Sequence, residues 1–361
     1  MLDISCSGTP YEIGLKHGSE AKSQVHGSLK FYESIFQTMS TMEWPEVRRQ
    51  SEAFAPYIAI NYPRYEQEMQ GIADGAGADY TDILALNIRS EIAFSMFQDP
   101  ASEPSSSTSI NIDSDGCTSI GWITPNGKTF LGQNWDWKPP QMQNLIILRV
   151  TQPGTDLVPF QMITEAGIIG KIGFNANGVG CCLNAIRARG VDPQRMPIHF
   201  GLRTVLESAS RENALSTLKN AGIAASAHIL IGDKKSVTGL ECSNIGFAEL
   251  APDGLGRICH ANNFLLKHDG VDEPGWMIDS PLRAARMQQL ATSDVGQNAS
   301  HESIMALFKD EDNFPSAINR KMQGLSTSET LFNVVFELTE RRGWVSLGRP
   351  TDVLERVELE F

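Results

Sequence analysis

The chain has 361 residues, of which 41% are hydrophobic, enough for a large core in one big domain or two ordinary ones. A formal net charge of −13 argues against nucleic acid as a partner, because gripping phosphate needs a basic face. No apolar run approaches the roughly 20 residues of a membrane helix, so no membrane association is expected.

Residues 1–12 lack a basic region followed by an apolar one, so no secretory signal is expected, and the last four residues are not a peroxisomal tripeptide signal. The six cysteines (Cys6, Cys117, Cys181, Cys182, Cys242, Cys259) are scattered, with no Cys-x-x-Cys. They predict an intracellular, cytoplasmic protein with free thiols rather than a disulfide scaffold.

Thr9, Pro10 and Glu12 form a helix start: Thr9 as N-cap, Pro10 in the first turn, Glu12 closing a capping box. That helix is predicted to run to about residue 39, weakened early by Gly14 and Gly18. Apolar residues at Ile58, Tyr62, Tyr65, Met69 and Ile72 predict a helix over 57–73, ended by Gly75-Ala76-Gly77, and Thr81 caps another to about residue 97. Residues 99–115 are rich in Ser and Pro and poor in large apolar side chains, which predicts a linker.

Residues 115–137 predict a β-hairpin, with extended runs at 118–124 and 129–135 around Asn126-Gly127. Asn-Gly is the strongest short-range signal for a two-residue type I′ turn, since both residues accept positive φ. Such a turn sets Pro125 opposite Lys128 and, down the ladder, Cys117 opposite Asp136 on one face of the sheet. A thiol and a carboxylate would then meet beside Gly116. From the hairpin alone, Cys117 reads first as a small buried hydrophobe.

Strands follow at 145–151, 160–163, 167–174 and 179–185, then helices at 198–208 and 211–220, the second capped by Ser210. A hairpin of 227–231 with 238–242, a short strand at 257–261, helices from Ser280 and Ser300, and a last hairpin of 330–338 with 344–347 complete the chain. Strands that pair as hairpins and helices that come in blocks predict an α+β fold, antiparallel sheets between helical layers.

Gly167 to Lys171 lacks the Ser or Thr of a phosphate loop, and no His-Glu-x-x-His, paired Cys/His set or Gly-x-Ser-x-Gly elbow is present. Neither a metal nor a bound cofactor is expected. Of the seven histidines, His228 and His260 fall in strands and are the two a Cys–His pair would draw on; each reads first as a satisfied core or surface residue.

Gly116-Cys117-Thr118, Gly132-Gln133-Asn134-Trp135-Asp136 and Thr164-Glu165-Ala166-Gly167-Ile168-Ile169-Gly170-Lys171 resemble the isopenicillin N acyltransferase (acyl-CoA:6-aminopenicillanic acid acyltransferase) family. So do Gly8 to Gly14 with His17-Gly18, Ala224 to Ala227, Asp310 to Pro315 and Leu347 to Thr351, in order along nearly the whole chain. The resemblance implies a four-layer αββα sandwich of antiparallel sheets, the N-terminal nucleophile hydrolase fold. It implies a precursor that cuts itself between Gly116 and Cys117. The products would be a helical α chain, 1–116, ending in the linker, and a β chain, 117–361, which stay together as a heterodimer.

The same resemblance makes Cys117 the nucleophile, its freed α-amine (unperturbed pKa about 8) acting as base for the thiol. Asp136 would orient or charge-balance that amine, Asn262 would donate to the oxyanion, and Ser226 and Ser326 would serve self-processing. Asn262 equally suits a turn, and Ser226 packing. The implied substrates are a small-molecule acyl donor, acyl-CoA or an amide, and an amine acceptor such as 6-aminopenicillanic acid. A CoA-independent amidase and a non-catalytic relative are the alternatives. The chain departs from the penicillin-forming member at Thr327, where that member has arginine.

Overall fold

In the computed structural model, which describes residues 1–95, 116–274, 279–315, 317–324 and 326–361, the predicted capping box of Thr9 and Glu12 opens helix α1 (Pro10–Glu20). The chain breaks at Ala21, so the single helix predicted to residue 39 is two, with α2 (Lys22–Ser40) following. Helices α3 (Trp44–Ser51) and α4 (Ala55–Asn61) come next. Pro63 splits the predicted 57–73 helix, because the residue before a proline is pushed out of the α region; Tyr62 sits at φ −133°, ψ 47°. Helix α5 (Pro63–Ala76) ends on Gly77 in the left-handed region, and α6 (Tyr80–Ser95) follows.

Gly14 and Gly18 do more than weaken α1. A Cβ on Gly14 would lie 1.9 Å from the Glu68 carbonyl oxygen, and one on Gly71 would lie 2.2 Å from that of Tyr11. The glycine pairs of α1 and α5 therefore let the two backbones touch.

The first strands are β1 (Leu2–Ser7), β2 (Gly116–Ile123), β3 (Thr129–Trp137), β4 (Leu145–Thr151), β5 (Phe160–Glu165), β6 (Ile172–Asn175) and β7 (Gly180–Ala185). After helices α7 (Ile198–Glu207) and α8 (Arg211–Ala221) come β8 (Ala227–Gly232), β9 (Val237–Ser243), β10 (Gly246–Leu250) and β11 (Arg257–His260). Helices α9 (Ser280–Leu290), α10 (Ser293–Gln297) and α11 (His301–Leu307) lead to β12 (Glu329–Glu337), β13 (Arg342–Arg349) and β14 (Asp352–Glu360).

One sheet runs β1-β4-β5-β6-β7-β8-β9-β10 and the other β11-β2-β3-β12-β13-β14. Pairing is antiparallel throughout except β1 with β4, which are parallel. Parallel neighbours need a long crossover, and the helices between β1 and β2 lie within that connection. Strands β2 and β3 pack on β7 and β8, α7 covers the outer face of the first sheet, and α9 and α11 cover the second. The order is αββα. The main core lies between and behind the sheets, and a second cluster around Trp122, Phe130 and Phe308 fills the space under α9 and α11.

The hairpin register differs from expectation by one residue. Gly116 faces Asp136, Cys117 faces Trp135, and Ile123 faces Thr129. The Gly127 N–H donates to the Thr124 carbonyl, and Gly127 alone in the turn takes positive φ (82°), so the loop is Pro125-Asn126-Gly127. The two-residue alternative would make Pro125 a ladder residue, which has no N–H to give; at the second position of a type I turn its fixed φ fits. The linker predicted at 99–115 lies outside the described residues.

Candidate active site

The one-residue shift sends the two predicted partners to opposite faces. Cys117, Trp135 and Leu131 point between the sheets, while Asp136 points outward under the helical layer. The site is therefore built on both sides of the β2–β3 ladder.

On the outer side, Asp136 is 1% exposed. Its Oδ1 accepts a 2.6 Å hydrogen bond from the Thr330 hydroxyl, and its Oδ2 lies 3.5 Å from Arg320 Nε. A bulge between Thr330 and Phe332 of β12 sets that hydroxyl opposite Asp136. Arg320 also pairs with Asp279, whose carboxylate is 3.5 Å from Arg283 Nε one helical turn along α9. Burial pushes the Asp136 carboxyl up to about 6, opposed by Arg320 and Arg283.

Backbone groups of Cys117 are held individually. Its N–H donates to Asn262 Oδ1 at 2.7 Å, and its carbonyl accepts from Arg283 Nη1 at 2.7 Å and from Asn184 Nδ2 at 3.2 Å. Arg283 Nη2 also donates to Asn262 Oδ1 at 3.0 Å, and Asn262 Nδ2 donates to the Ala185 carbonyl at 2.9 Å. Gln133 of β3 sets this alignment of the sheets: its side chain accepts from the Leu183 N–H at 3.0 Å and donates to the Leu183 carbonyl, bringing Asn184 beside Cys117.

On the inner side, the Lys171 ammonium lies 3.9 Å over the Trp135 ring and pairs with Glu165, which also holds Arg89, Gln141 and Tyr32. Burial would raise Glu165, but Arg89 and Lys171 hold it down to about 2; burial pushes Lys171 down to about 8. Burial, and then Asp136, push the Cys117 thiol up to about 12, against a hydrogen bond from the Asp136 N–H and the charges of Arg283 and Lys171. As a mid-chain residue, Cys117 is a protonated thiol at neutral pH.

Gly116, Cys117, Asp136 and Asn262 are thus brought together. Ser226, just before β8, is fully buried, and its hydroxyl has no partner among the described residues. Ser326 donates to the Ser328 carbonyl at 3.0 Å, at the start of the segment that delivers Thr330. Sequence reasoning missed Asn184, Arg283, Arg320, Asp279, Thr330 and Lys171. Only the Asp279–Arg283 spacing of four at a helix start carried a signal, and that pattern also describes ordinary surface pairs. Neither His228 nor His260 bonds to Cys117; they stand one layer behind it. Among the described residues, no group of three or more His, Cys, Asp or Glu is placed to hold a metal, and no helix is long and apolar enough to cross a membrane.

Residues 122–352 match the family model described as acyl-coenzyme A:6-aminopenicillanic acid acyl-transferase. Over its full length the chain is 37% identical to the acyl-coenzyme A:6-aminopenicillanic-acid-acyltransferase 40 kDa form of Emericella nidulans, covering 96% of that protein. The chain belongs to this acyltransferase family. It is an enzyme of the acyltransferase/amidohydrolase class. It is also 22% identical to the β-alanyl-dopamine/carcinine hydrolase of Drosophila melanogaster, over 60% of this chain and 57% of that one. The solved structure of the Caenorhabditis elegans N-acylethanolamine-hydrolyzing acid amidase ortholog aligns with a TM-score of 0.47 at 16% identity, covering 62% of this chain and 93% of that chain.

Proposed function

We propose that this enzyme cuts itself between Gly116 and Cys117, and then uses the Cys117 thiol to pass an acyl group from acyl-CoA, or from an amide, to an amine such as 6-aminopenicillanic acid. What carries the reading is the grip on the Cys117 amide nitrogen by Asn262, 2.7 Å away. That nitrogen is the leaving group of the cut and the α-amine of the product.

In the cut, the Cys117 sulfur adds to the Gly116 carbonyl, the thiol proton passes to the Cys117 nitrogen, and the C–N bond breaks to leave a thioester. Water then hydrolyses the thioester, freeing the thiol and a Gly116 carboxylate. The new α-amine takes over as base for a thiol that is otherwise held protonated by burial. In turnover the sulfur accepts the acyl group, releasing the CoA thiol or an amine, and the acceptor amine attacks the acyl-enzyme and restores the thiol. Asp136, its carboxylate held by Arg320, orients or charge-balances the α-amine. Asn262 holds the leaving nitrogen in the uncut chain; donating to the oxyanion requires its Nδ2 to leave the Ala185 carbonyl. The unpaired Ser226 hydroxyl and the Ser326 hydroxyl serve the cut. The α chain, 1–116, and β chain, 117–361, remain one heterodimer. Six buried, free cysteines support a reducing, cytoplasmic setting.

Water in place of the acceptor amine turns the same acyl-enzyme into an amidase, and the carcinine hydrolase relative supports keeping that reading as the alternative. The first test is intact mass under denaturing conditions: two chains parting before Cys117 in the natural protein, and one 39.6 kDa chain in Cys117→Ala. A natural protein that stays whole overturns the self-cutting reading. Phenylacetyl-CoA with 6-aminopenicillanic acid then separates the two activities: amide hydrolysis with no penicillin product removes the transferase.

A further inference from the structure

Behind the nucleophile lies a buried unit that the reaction above does not use. Asn184 presents its amide to the Cys117 carbonyl, and a primary amide is nearly symmetric in shape, so something must decide which end faces the nucleophile. The carbonyl only accepts, which assigns the nitrogen to that side and Oδ1 to the other. There Oδ1 receives the Ser119 hydroxyl at 2.7 Å and His228 Nδ1 at 2.9 Å. His228 therefore carries its hydrogen on Nδ1.

The rest of the His228 ring is fixed by its surroundings. Nε2 is buried with no hydrogen-bond partner among the described residues, and a Cβ on Gly239 would lie 2.6 Å from it. The ring stacks on His260 at 3.6 Å and 15°. His260 Nδ1 lies 2.7 Å from the Ala261 carbonyl and its Nε2 lies 2.9 Å from Glu241 Oε1. Glu241 also accepts from the Leu265 N–H at 2.6 Å, the Leu266 N–H at 3.1 Å and His268 Nε2 at 3.1 Å, which fastens the loop carrying Asn262. The amide that takes the Cys117 N–H and the amide that gives to its carbonyl thus both hang from Glu241, His260 and His228. Burial, and then the neighbouring His260, hold the His228 ring well below the usual imidazole range, which keeps it neutral with a single N–H.

We infer that His228, backed by His260 and Glu241, is a positioning residue for the reaction: its Nδ1–H locks the Asn184 amide, and Asn184 in turn fixes the Cys117 carbonyl and the aim of the thiol. This role rests on Cys117 being the nucleophile.

The test compares His228→Leu, His228→Asn and His228→Gln for the rate of self-cutting and for kcat and KM on an acyl amide. Leucine removes the donor and lowers the cutting rate and kcat by roughly 10- to 100-fold, with KM within about twofold, as expected when a reacting group is misaimed while substrate binding is kept. Asparagine carries an N–H where Nδ1 sits and restores most of the loss; glutamine, larger but with its N–H near the Nε2 position, does not. A space-filling histidine gives the opposite order, glutamine above asparagine, and that result overturns the role, as does leucine matching the natural protein. Should leucine fail to fold, the Asn/Gln order decides. Failure of all three to fold also overturns it, since His228 would then belong to the core alone. If the natural protein stays uncut, or Cys117→Ala is as active as the natural protein, the reading of Cys117 is what fails.

Discussion

Asp136 and Glu165 are both fully buried carboxylates near Cys117, and their surroundings drive them in opposite directions. Asp136 is raised from 3.8 to about 6, so the folded state holds its proton more tightly than the unfolded chain does. Its ionisation therefore weakens the fold progressively as pH rises from about 4 to about 6, and by a constant amount above that. Urea unfolding at pH 4 and pH 6.5 should show Asp136→Asn gaining on the natural protein by on the order of 2–3 kcal/mol across that interval. Parallel pH dependence in the two proteins would show that Asp136 is not the linked group. Glu165 is lowered to about 2 between Arg89 and Lys171, and it contributes stability above its unfolded value that is lost as pH falls toward 2. Removing one partner of a buried ion pair leaves charge without compensation, so Glu165→Gln should lose about 3–5 kcal/mol in the same measurement at pH 7. A loss below about 1 kcal/mol would mean that Lys171 and Arg89 find other partners.

At the scale of elements, two local sequence rules were overridden, one by a tertiary contact and one by a neighbouring proline. Glycine in a helix interior weakens it by about 1 kcal/mol relative to alanine, which is how Gly14 and Gly18 read in isolation. In the folded protein α1 lies against α5 so closely that Cβ atoms at Gly14 and Gly18 would come within 2.2 Å of backbone oxygens of α5. Gly14→Ala should therefore destabilise, by about 2 kcal/mol or more, despite its better helix propensity. A rise in melting temperature would refute the close approach. In the hairpin, Asn126-Gly127 read alone predicts a two-residue turn, but Pro125 has no N–H to close it, and the loop takes one residue more. That single residue moves Asp136 to the far side of the sheet from the Cys117 thiol, where Thr330 and Arg320 await it.

Across the whole molecule, the segment before Cys117 is woven into the rest. Strand β1 completes the first sheet beside β4, Arg203 of α7 binds Glu68 of α5 at 2.7–2.8 Å, and Tyr32 and Arg89 bind Glu165. A cut at Gly116 should leave all of these in place. Size-exclusion mass under native conditions should be the same before and after cutting, with the two pieces parting only in denaturant. Pieces that separate without denaturant would show that the pairing is weaker than its buried contacts imply.

Whatever depends on near neighbours and on pattern could be read from the chain alone. The capping box at Thr9, the strand 145–151, Ser210 as a helix cap and the hairpin of β8 with β9 were all legible, because capping and alternation act within a few residues. The αββα order and the family were legible through motifs spread along the chain. Strands β1, β10 and β14 were not, since edge strands of mixed polarity carry little alternating apolar signal. Of the surroundings of Cys117, Asp136 and Asn262 were named through the family resemblance, and the rest emerged only on folding. Asn184, Asn262, Arg283 and Arg320 come from segments 67 or more positions away in sequence, and their approach is set by sheet packing through Gln133 and by the ion pairs under α9. Local sequence limits what each residue can do. Which residue it does it to is settled by burial, where nearly every buried polar group finds a partner wherever in the chain that partner lies.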